Sequence, residues 1–410
     1  MILGADPLFA DGVDGTVVLI VAIKVVVAFA ALLVSVMLMV WFERKLVSDM
    51  QNRIGPNRAG KWGLLQTLAD GIKLFFKEDL LPHNADRRIF RLAPYLSLVP
   101  AFLSFAVVPI GGEVTLFDRT TRLQLADPPV GILFLLAVSS VAVYGVMLAG
   151  WASGSKYPLL GSVRASAQMV SYEAAMGLSV AAVVLVTGSL LTSQIVTEQD
   201  GSIFEWNIFR LGFLPFAIFA IAATAELNRP PFDLVEAEQE LVGGFHTEYS
   251  SLRFALFYLA EFMNTIVMSA VIVTLFLGGP AGPAPDDGFL GAVVPLGWFL
   301  LKMFVFLFTY VWLRATLPRL RYDQLMDLGW KRLIPFSLFW LLVLAAMRIE
   351  APTTSTGAMA SIMRRRYGFM VFAGGLVLAL LMLRALQVSR ERAEEQLTGP
   401  RPADQVGEVH

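Results

Sequence analysis

Long apolar stretches alternate along the chain with short polar segments, and most of these stretches have the length of a membrane-spanning helix. A helix rises about 1.5 Å per residue, so about 20 mostly apolar residues cross roughly 30 Å of hydrocarbon. A helix also satisfies its own backbone N–H and C=O groups there. The pattern predicts eight core spans at 16–42, 92–110, 130–151, 165–187, 211–227, 252–277, 293–313 and 334–347, and a ninth at 367–386.

Two predicted spans depart from the simplest pattern. The stretch at 334–347 has only fourteen residues, and the stretch at 92–110 is interrupted by Pro94, Pro100 and Pro109. Short or broken spans need protein neighbours or a polar cavity around them. We expect these two helices to be packed inside the protein.

Residues 62–80, between the first two spans, alternate large apolar side chains with Asp70, Lys73 and Lys77. This pattern is typical of an amphipathic helix that lies in the membrane interface. The fold class predicted from the pattern is therefore an all-α integral membrane protein with an interfacial amphipathic helix.

The lysines and arginines predict an orientation, because basic loops stay in the cytoplasm. The basic loops are 43–91, 152–164, 228–253 and 314–332, whereas the loops at 1–15, 111–129, 188–210 and 278–292 contain few basic residues. The acidic N-terminal segment lacks the basic region of a cleavable signal peptide, so we expect it to lie outside and the first helix to be retained. If inner and outer loops continue to alternate, Arg364, Arg365 and Arg366 lie outside. This position departs locally from the rule that basic loops stay in the cytoplasm.

The amino-acid composition excludes several classes of function. Apolar residues make up 56% of the 410-residue chain and charged residues only 16%, against about a quarter in soluble domains. The chain has no cysteine, so disulfides, thiolate metal sites and ordinary iron–sulfur ligation are excluded. The three widely spaced histidines do not suit axial haem ligation, and a net charge of −1 argues against nucleic-acid binding. We predict no metal and no cofactor bound by this chain alone.

The first polar cluster follows the first span: Glu43, Arg44 and Lys45, then a Gly-Pro turn between Arg53 and Arg58. A basic juxtamembrane stretch on anionic lipid would explain the Lys and Arg residues. It would explain neither a glutamate at the membrane edge nor the turn. A structured polar pocket is the alternative, and the residue types leave both interpretations open.

The second cluster is acidic and lies in one predicted inner loop: Glu226, Arg229, Asp233, Glu236, Glu238, Glu240 and Glu248. A solvated acidic face is the simpler interpretation. Asp233, Glu236 and Glu240, however, are spaced so that a helix would align their carboxylates on one side. Carboxylates held that close titrate as a coupled group, which makes them candidates for passing protons on.

Ionisable residues also occur inside predicted spans: Lys24, Glu173, Glu261 and Lys302, with Glu226 at a span end. A charge at bilayer depth costs several kcal/mol, so a proton or ion path is the default hypothesis. A buried Lys–Glu pair is the structural alternative. For Lys24, near the outer end of its helix, snorkelling toward the interface is favoured. For Glu173 and Glu226 we favour function.

Four motifs resemble the quinone-chamber membrane subunit of respiratory complex I, the bacterial NADH:quinone oxidoreductase. They are WFERKLVSDMQNRIGPNRAGKWGLLQTLADGIKLFFKED at 41–79, RASAQMVSYEAAMGLS at 164–179, AELNRPPFDLVEAEQELVGGFHTEYSS at 225–251 and PRLRYDQLMDLGWK at 318–331. The resemblance implies a protein that docks on the peripheral arm and on neighbouring membrane-arm subunits, in a bacterial plasma membrane. It implies quinone as substrate, ubiquinone or menaquinone, with flavin and iron–sulfur clusters in partner subunits.

The resemblance also implies site residues. Positions that match those lining or supporting the quinone chamber are Glu43, Arg44, Arg53, Arg58, Asp70, Arg229, Phe245 and Tyr249. Positions that match an acidic proton path are Glu173, Glu226, Glu236, Glu240 and Glu248. The chain departs from the family at His246 and Gly243, where Asn and Ser are usual. Residues 1–350 therefore form the predicted membrane domain, and residues 351–410 an extension with one predicted span and a polar tail.

Three functions compete. The resemblance favours a coupling subunit that performs no electron transfer itself and links quinone reduction in a partner to proton movement. The homologous subunit of a membrane-bound hydrogenase complex would share the loops. A free-standing secondary transporter would place its site at the membrane midplane between broken helices, whereas the polar motifs here gather in loops.

Overall fold

The structure is a computed structural model that describes residues 6–9, 12–235, 238–283, 285 and 288–350, and residues 374, 377 and 384. The helices are α1 (Gly15–Met50), α2 (Gln66–Phe75), α3 (Arg87–Phe105), α4 (Gly131–Ala152), α5 (Lys156–Thr187), α6 (Thr192–Thr197), α7 (Asn207–Arg210), α8 (Phe213–Glu226), α9 (Glu238–Leu241), α10 (Ser251–Phe276), α11 (Gly288–Thr316), α12 (Tyr322–Leu328) and α13 (Ile334–Glu350). Single 3₁₀ turns lie at Pro7–Phe9, Lys61–Gly63, Ile203–Glu205 and Gly244–His246. Strands β1 (Glu113–Leu116) and β2 (Arg119–Arg122) pair antiparallel.

The prediction of an all-α integral membrane protein is confirmed. Six segments of the described chain are long and apolar enough to cross a membrane: Gly15–Met50, Gly131–Ala152, Lys156–Thr187, Ser251–Phe276, Val293–Thr316 and Tyr322–Met347. The two remaining core spans predicted from the sequence are helical as well, as α3 and the 14-residue α8. Most of the ninth predicted span, at 367–386, lies outside the described residues.

The last described span is longer than its apolar stretch. We predicted it at 334–347, but a π-helical segment at Gly329–Leu333 joins α12 to α13 without a break. The span therefore starts at Tyr322, in a polar stretch that hydropathy alone does not assign to the membrane.

One end of the bundle is formed by loops 51–86, 153–155, 227–250 and 317–321, and we call it the loop end. These loops contact one another and the neighbouring helix ends. Three hydrogen bonds join them: Asp86 N–H to the Ala152 carbonyl at 3.0 Å, Leu80 N–H to Ser250 Oγ at 2.8 Å and Leu320 N–H to the Pro231 carbonyl at 3.0 Å. The basic segments of the sequence thus meet at one end of the protein.

The opposite end, the hairpin end, comprises residues 106–130, 188–212 and 277–283. There the Lys24 ammonium binds Asp6 at 3.1 Å and Thr121 of β2 at 2.9 Å. Only 11% of the Lys24 side chain is exposed, so the expectation of snorkelling is wrong. We call these three residues the hairpin latch.

Lys302 has a structural role at the same end. Its ammonium donates to the carbonyls of Leu277, Gly279 and Ala281, at 2.8, 3.0 and 2.6 Å, just beyond the C-terminus of α10. It also lies 4.3 Å from the ring centre of Trp206. A lysine placed this way satisfies carbonyls that a helix end leaves without donors.

The interfacial helix is shorter than predicted. We expected it to cover 62–80, but α2 covers Gln66–Phe75, because Trp62 adopts a left-handed φ of 59° that an α-helix excludes. Leu68, Ile72 and Phe75 on α2 are exposed and form its apolar side.

Candidate functional site

A buried ion cluster joins three helices and one loop at the loop end. Arg229 donates to both carboxylate oxygens of Glu43, at 3.0 and 3.3 Å, and its Nε lies 3.0 Å from Glu261. Arg314 of α11 forms a second close contact with Glu43. The cluster therefore has two guanidinium groups and two carboxylates, which is the pairing that makes buried charge tolerable.

Local sequence explains why Arg229 can reach this cluster. The α8 helix ends at Glu226, as expected from Pro230 and Pro231, which lack N–H donors and cannot continue it. The Gln168 side chain of α5 stabilises the turn that follows α8. It donates hydrogen bonds to the Ala225 carbonyl, at 2.7 Å, and to the Phe232 carbonyl, at 2.9 Å.

An irregular cavity of about 80 Å³ lies beside the ion cluster. Helices α3, α4, α5, α8 and α10 and part of the loop at 227–250 form its walls. Its polar lining consists of Ser97, Ser104, Ser139, Glu226, Asn228, His246, Tyr258, Glu261 and Asn264. Glu261 belongs to both features, because it contacts Arg229 and lines the cavity.

The structure brings together part of the predicted quinone-binding set. Glu43 and Arg229 are directly paired, and Phe245 lines the cavity. Arg44 pairs with Asp70 at 2.6 Å, which joins α1 to α2. The side chains of Arg53 and Arg58 are exposed on the loop that follows α1.

Tyr249 lies behind the cavity wall. Its ring stacks on Phe90 with ring centres 3.9 Å apart, and its hydroxyl donates to the Phe90 carbonyl at 3.1 Å. Pro94 follows four residues later and has no N–H for that carbonyl, so the tyrosine replaces the missing helical hydrogen bond. Burial also raises the pKa of Tyr249, while nearby Arg253 opposes that shift.

The predicted proton-path residues do not form a single cluster, although Glu173 and Glu226 are close enough to interact electrostatically. Glu226 lines the cavity, and Glu173 accepts a short hydrogen bond from Ser140. Glu240 is exposed and pairs with Arg164 at 2.5 Å, whereas Glu248 is half-buried. Glu236 lies outside the described residues.

A helix does not align Asp233 with Glu240. Asp233 lies in a non-helical stretch after the proline pair, and the helix that follows, α9, covers only Glu238–Leu241. Asp233 instead contacts Arg319 at 2.6 Å. The expected row of three carboxylates on one helix face is therefore wrong, because the described residues between the proline pair and α9 are not helical.

The loop at 243–246 packs directly on α5. A side chain at Gly161 would lie 2.9 Å from the Gly244 backbone, so glycine is needed for this approach. His246 in this loop faces the cavity, and burial lowers its pKa to about 4. The imidazole is therefore neutral near pH 7, a polar group without charge where the family usually has Asn.

Several site residues were missed by sequence analysis. Ser97 and Ser104 are two helical turns apart on α3 and share one face, a spacing that was visible but is common for uncharged serines. Arg314 was also missed, because one arginine in a basic segment gives no sign that it pairs with a buried carboxylate.

Comparison with known proteins places the chain in a family. Residues 23–345 match the sequence model of the NADH dehydrogenase family. The H subunit of NADH-quinone oxidoreductase from Frankia alni is 55% identical over 334 residues, which are 80% of this chain and 73% of that one. Its counterpart from Frankia casuarinae is 54% identical over 333 residues, with the same shares. With a family match over most of its length and two such relatives, the chain belongs to the NADH dehydrogenase family of membrane proteins.

Proposed function

We propose that the chain is the membrane subunit of an NADH:quinone oxidoreductase that forms part of the quinone chamber and couples quinone reduction to proton translocation. The chain itself transfers no electrons. Flavin and iron–sulfur clusters belong to peripheral-arm subunits that dock on the loop end, and neighbouring membrane-arm subunits and lipid surround the helices. The N-terminus and the hairpin end face outward from a bacterial plasma membrane.

One observation carries this proposal: Glu261 connects the buried Glu43–Arg229–Arg314 cluster to the cavity that also contains Glu226. A change of charge near the loop end alters the electrostatic energy of the cluster, since charges interact strongly in a low-dielectric interior. Through Glu261 that change reaches the cavity carboxylates. The arrangement supports coupling of a reaction at the loop end to proton uptake inside the membrane domain.

The direct test is Glu226→Gln, which keeps size and hydrogen bonding but removes the exchangeable charge. We expect the purified variant complex, reconstituted in vesicles, to lose most of its quinone reduction and proton uptake while it remains assembled. Asp118→Asn, which changes an exposed acid in the turn of the β1–β2 hairpin at the opposite end, is the matched control and should leave both activities intact. Wild-type rates for Glu226→Gln would show that the proton route lies elsewhere.

Purification of the tagged chain separates the competing functions. Copurification of flavin and iron–sulfur subunits with NADH:quinone activity supports the proposal. Copurification with hydrogenase activity in place of quinone reduction would indicate the related hydrogenase complex. A pure homo-oligomer that transports solute would indicate a secondary transporter.

A further inference from the structure

The cavity contains polar groups that no protein atom satisfies. Within the described part of the chain, the Ser97 hydroxyl and one carboxylate oxygen of Glu226 have no hydrogen-bond partner, although both are buried. Both residues line the same cavity. Buried polar groups are almost always hydrogen-bonded, so two such groups facing one space call for a ligand between them.

Helix α3 adds a further acceptor beside Ser97. Pro100 lines the cavity and has no N–H, so the Leu96 carbonyl lacks the donor that a regular helix would supply four residues later. Ser104, one turn beyond Pro100, lines the same space. The Leu96 carbonyl and the two serines therefore form a polar strip in the C-terminal half of α3, which is otherwise apolar.

Polar groups from three other helices line the same cavity. They are Ser139 of α4, Glu226 of α8, and Glu261 and Asn264 of α10. A buried water molecule typically needs two to four polar partners and a space of at least one water volume, and polar cavities of this kind are hydrated. This cavity meets both conditions.

We propose that Ser97 and Ser104 of α3 are positioning residues that anchor a chain of bound water molecules between Glu261 and Glu226. The water chain carries protons between the two carboxylates, each hydrogen-bonded water taking a proton on one side and releasing one on the other. This inference rests on the proposed function, because it specifies how protons cross the gap from the ion cluster to the cavity carboxylate.

The test is the Ser97→Ala/Ser104→Ala double variant of the assembled complex, with both single variants measured beside it. Each lost water anchor should slow proton-coupled quinone turnover by about five- to tenfold, the rate cost of roughly one hydrogen bond. The solvent deuterium isotope effect on that turnover should rise, since proton transfer becomes slower than the other steps. A merely structural role of the hydroxyls would not raise the isotope effect.

Ser269→Ala is the matched control. Its hydroxyl is also buried, donates to the Thr265 carbonyl of its own helix at 2.8 Å and does not line the cavity. It should change neither turnover nor isotope effect. If the double variant fails to assemble, the two single variants decide the outcome by the same two measurements.

The outcomes separate this inference from the proposed function. If Glu226→Gln loses activity while the serine variants keep wild-type turnover and isotope effect, the water chain is refuted and the proton role of Glu226 stands. If Glu226→Gln is also fully active, the proposed function fails together with the inference.

Discussion

At the scale of single residues, His246 predicts an acid sensitivity. The unfolded chain binds a proton at this position below about pH 6.5, whereas burial delays protonation of the folded protein to about pH 4. The unfolded state therefore binds more protons between these values, and stability falls as pH drops through that window.

We expect His246→Asn to reduce this fall, measured as a smaller decrease in the melting temperature of the purified complex between pH 7 and pH 5. His83→Asn changes an exposed histidine at the same end of the bundle and should follow the wild-type curve. Identical curves for His246→Asn and wild type would contradict the burial argument.

Tyr249 gives a second prediction at this scale. Tyr249→Phe keeps the ring stacked on Phe90 but leaves the Phe90 carbonyl without a donor, at a cost of about 1–3 kcal/mol. We expect a melting temperature lowered by several degrees. Tyr144→Phe, which changes an exposed hydroxyl on α4, should leave it unchanged. Loss of quinone reduction without any loss of stability would instead assign the hydroxyl to the quinone.

Residue types predicted the polar clusters but not the pairs within them. Glu43 and Arg229 are 186 positions apart, and Glu43 and Arg314 are 271 apart. Local spacing reports which side chains share a helix face, yet it carries no information about which distant loops meet. The resemblance to a family supplied Glu43 and Arg229 as members of one site, and the structure supplies their contact.

At the scale of elements, the exposed loop after α1 predicts an interface. Among the described hydrogen bonds, the Arg53 guanidinium donates only to the neighbouring Gln51 side chain, at 2.7 Å. We expect Arg53→Ala to lower quinone reduction severalfold, because the loop is placed to face a partner or the quinone. NADH oxidation by a soluble artificial acceptor should persist, since the proposed function assigns the electron-carrying centres to other subunits.

Arg122→Ala, which changes a partly exposed arginine of β2 at the hairpin end, is the control for Arg53 and should keep both activities. Equal loss of quinone reduction and artificial-acceptor activity in an assembled Arg53→Ala complex would contradict an interface role.

Hydrophobic pattern predicted the helices well and the irregular elements poorly. Long apolar runs identify spans because the membrane imposes their length. The β1–β2 hairpin was not predicted, since its turn residues Phe117 and Asp118 both adopt left-handed φ angles, of 52° and 62°, where Asn and Gly are the usual signals. The π-helical join before α13 likewise has no periodic signature.

At the scale of the whole molecule, the family match ends at residue 345 and α13 ends at Glu350. We therefore expect a chain truncated after Glu350 to assemble and to reduce quinone at wild-type rates, because all the site residues precede that point. Copurified subunits and quinone turnover are the measurements. An assembled but inactive truncated complex would show that residues 351–410 reach the catalytic path.

The hairpin latch has a consequence for biosynthesis. A lone charged lysine within an apolar helix makes insertion of that helix into hydrocarbon less favourable. Asp6 precedes Lys24 by only 18 residues, so this ion pair can form while the first helix is being inserted. Thr121 is synthesised 97 residues after the lysine. We therefore expect the preceding segment to neutralise the charge during translation, and the hairpin to close later over an already neutral pair.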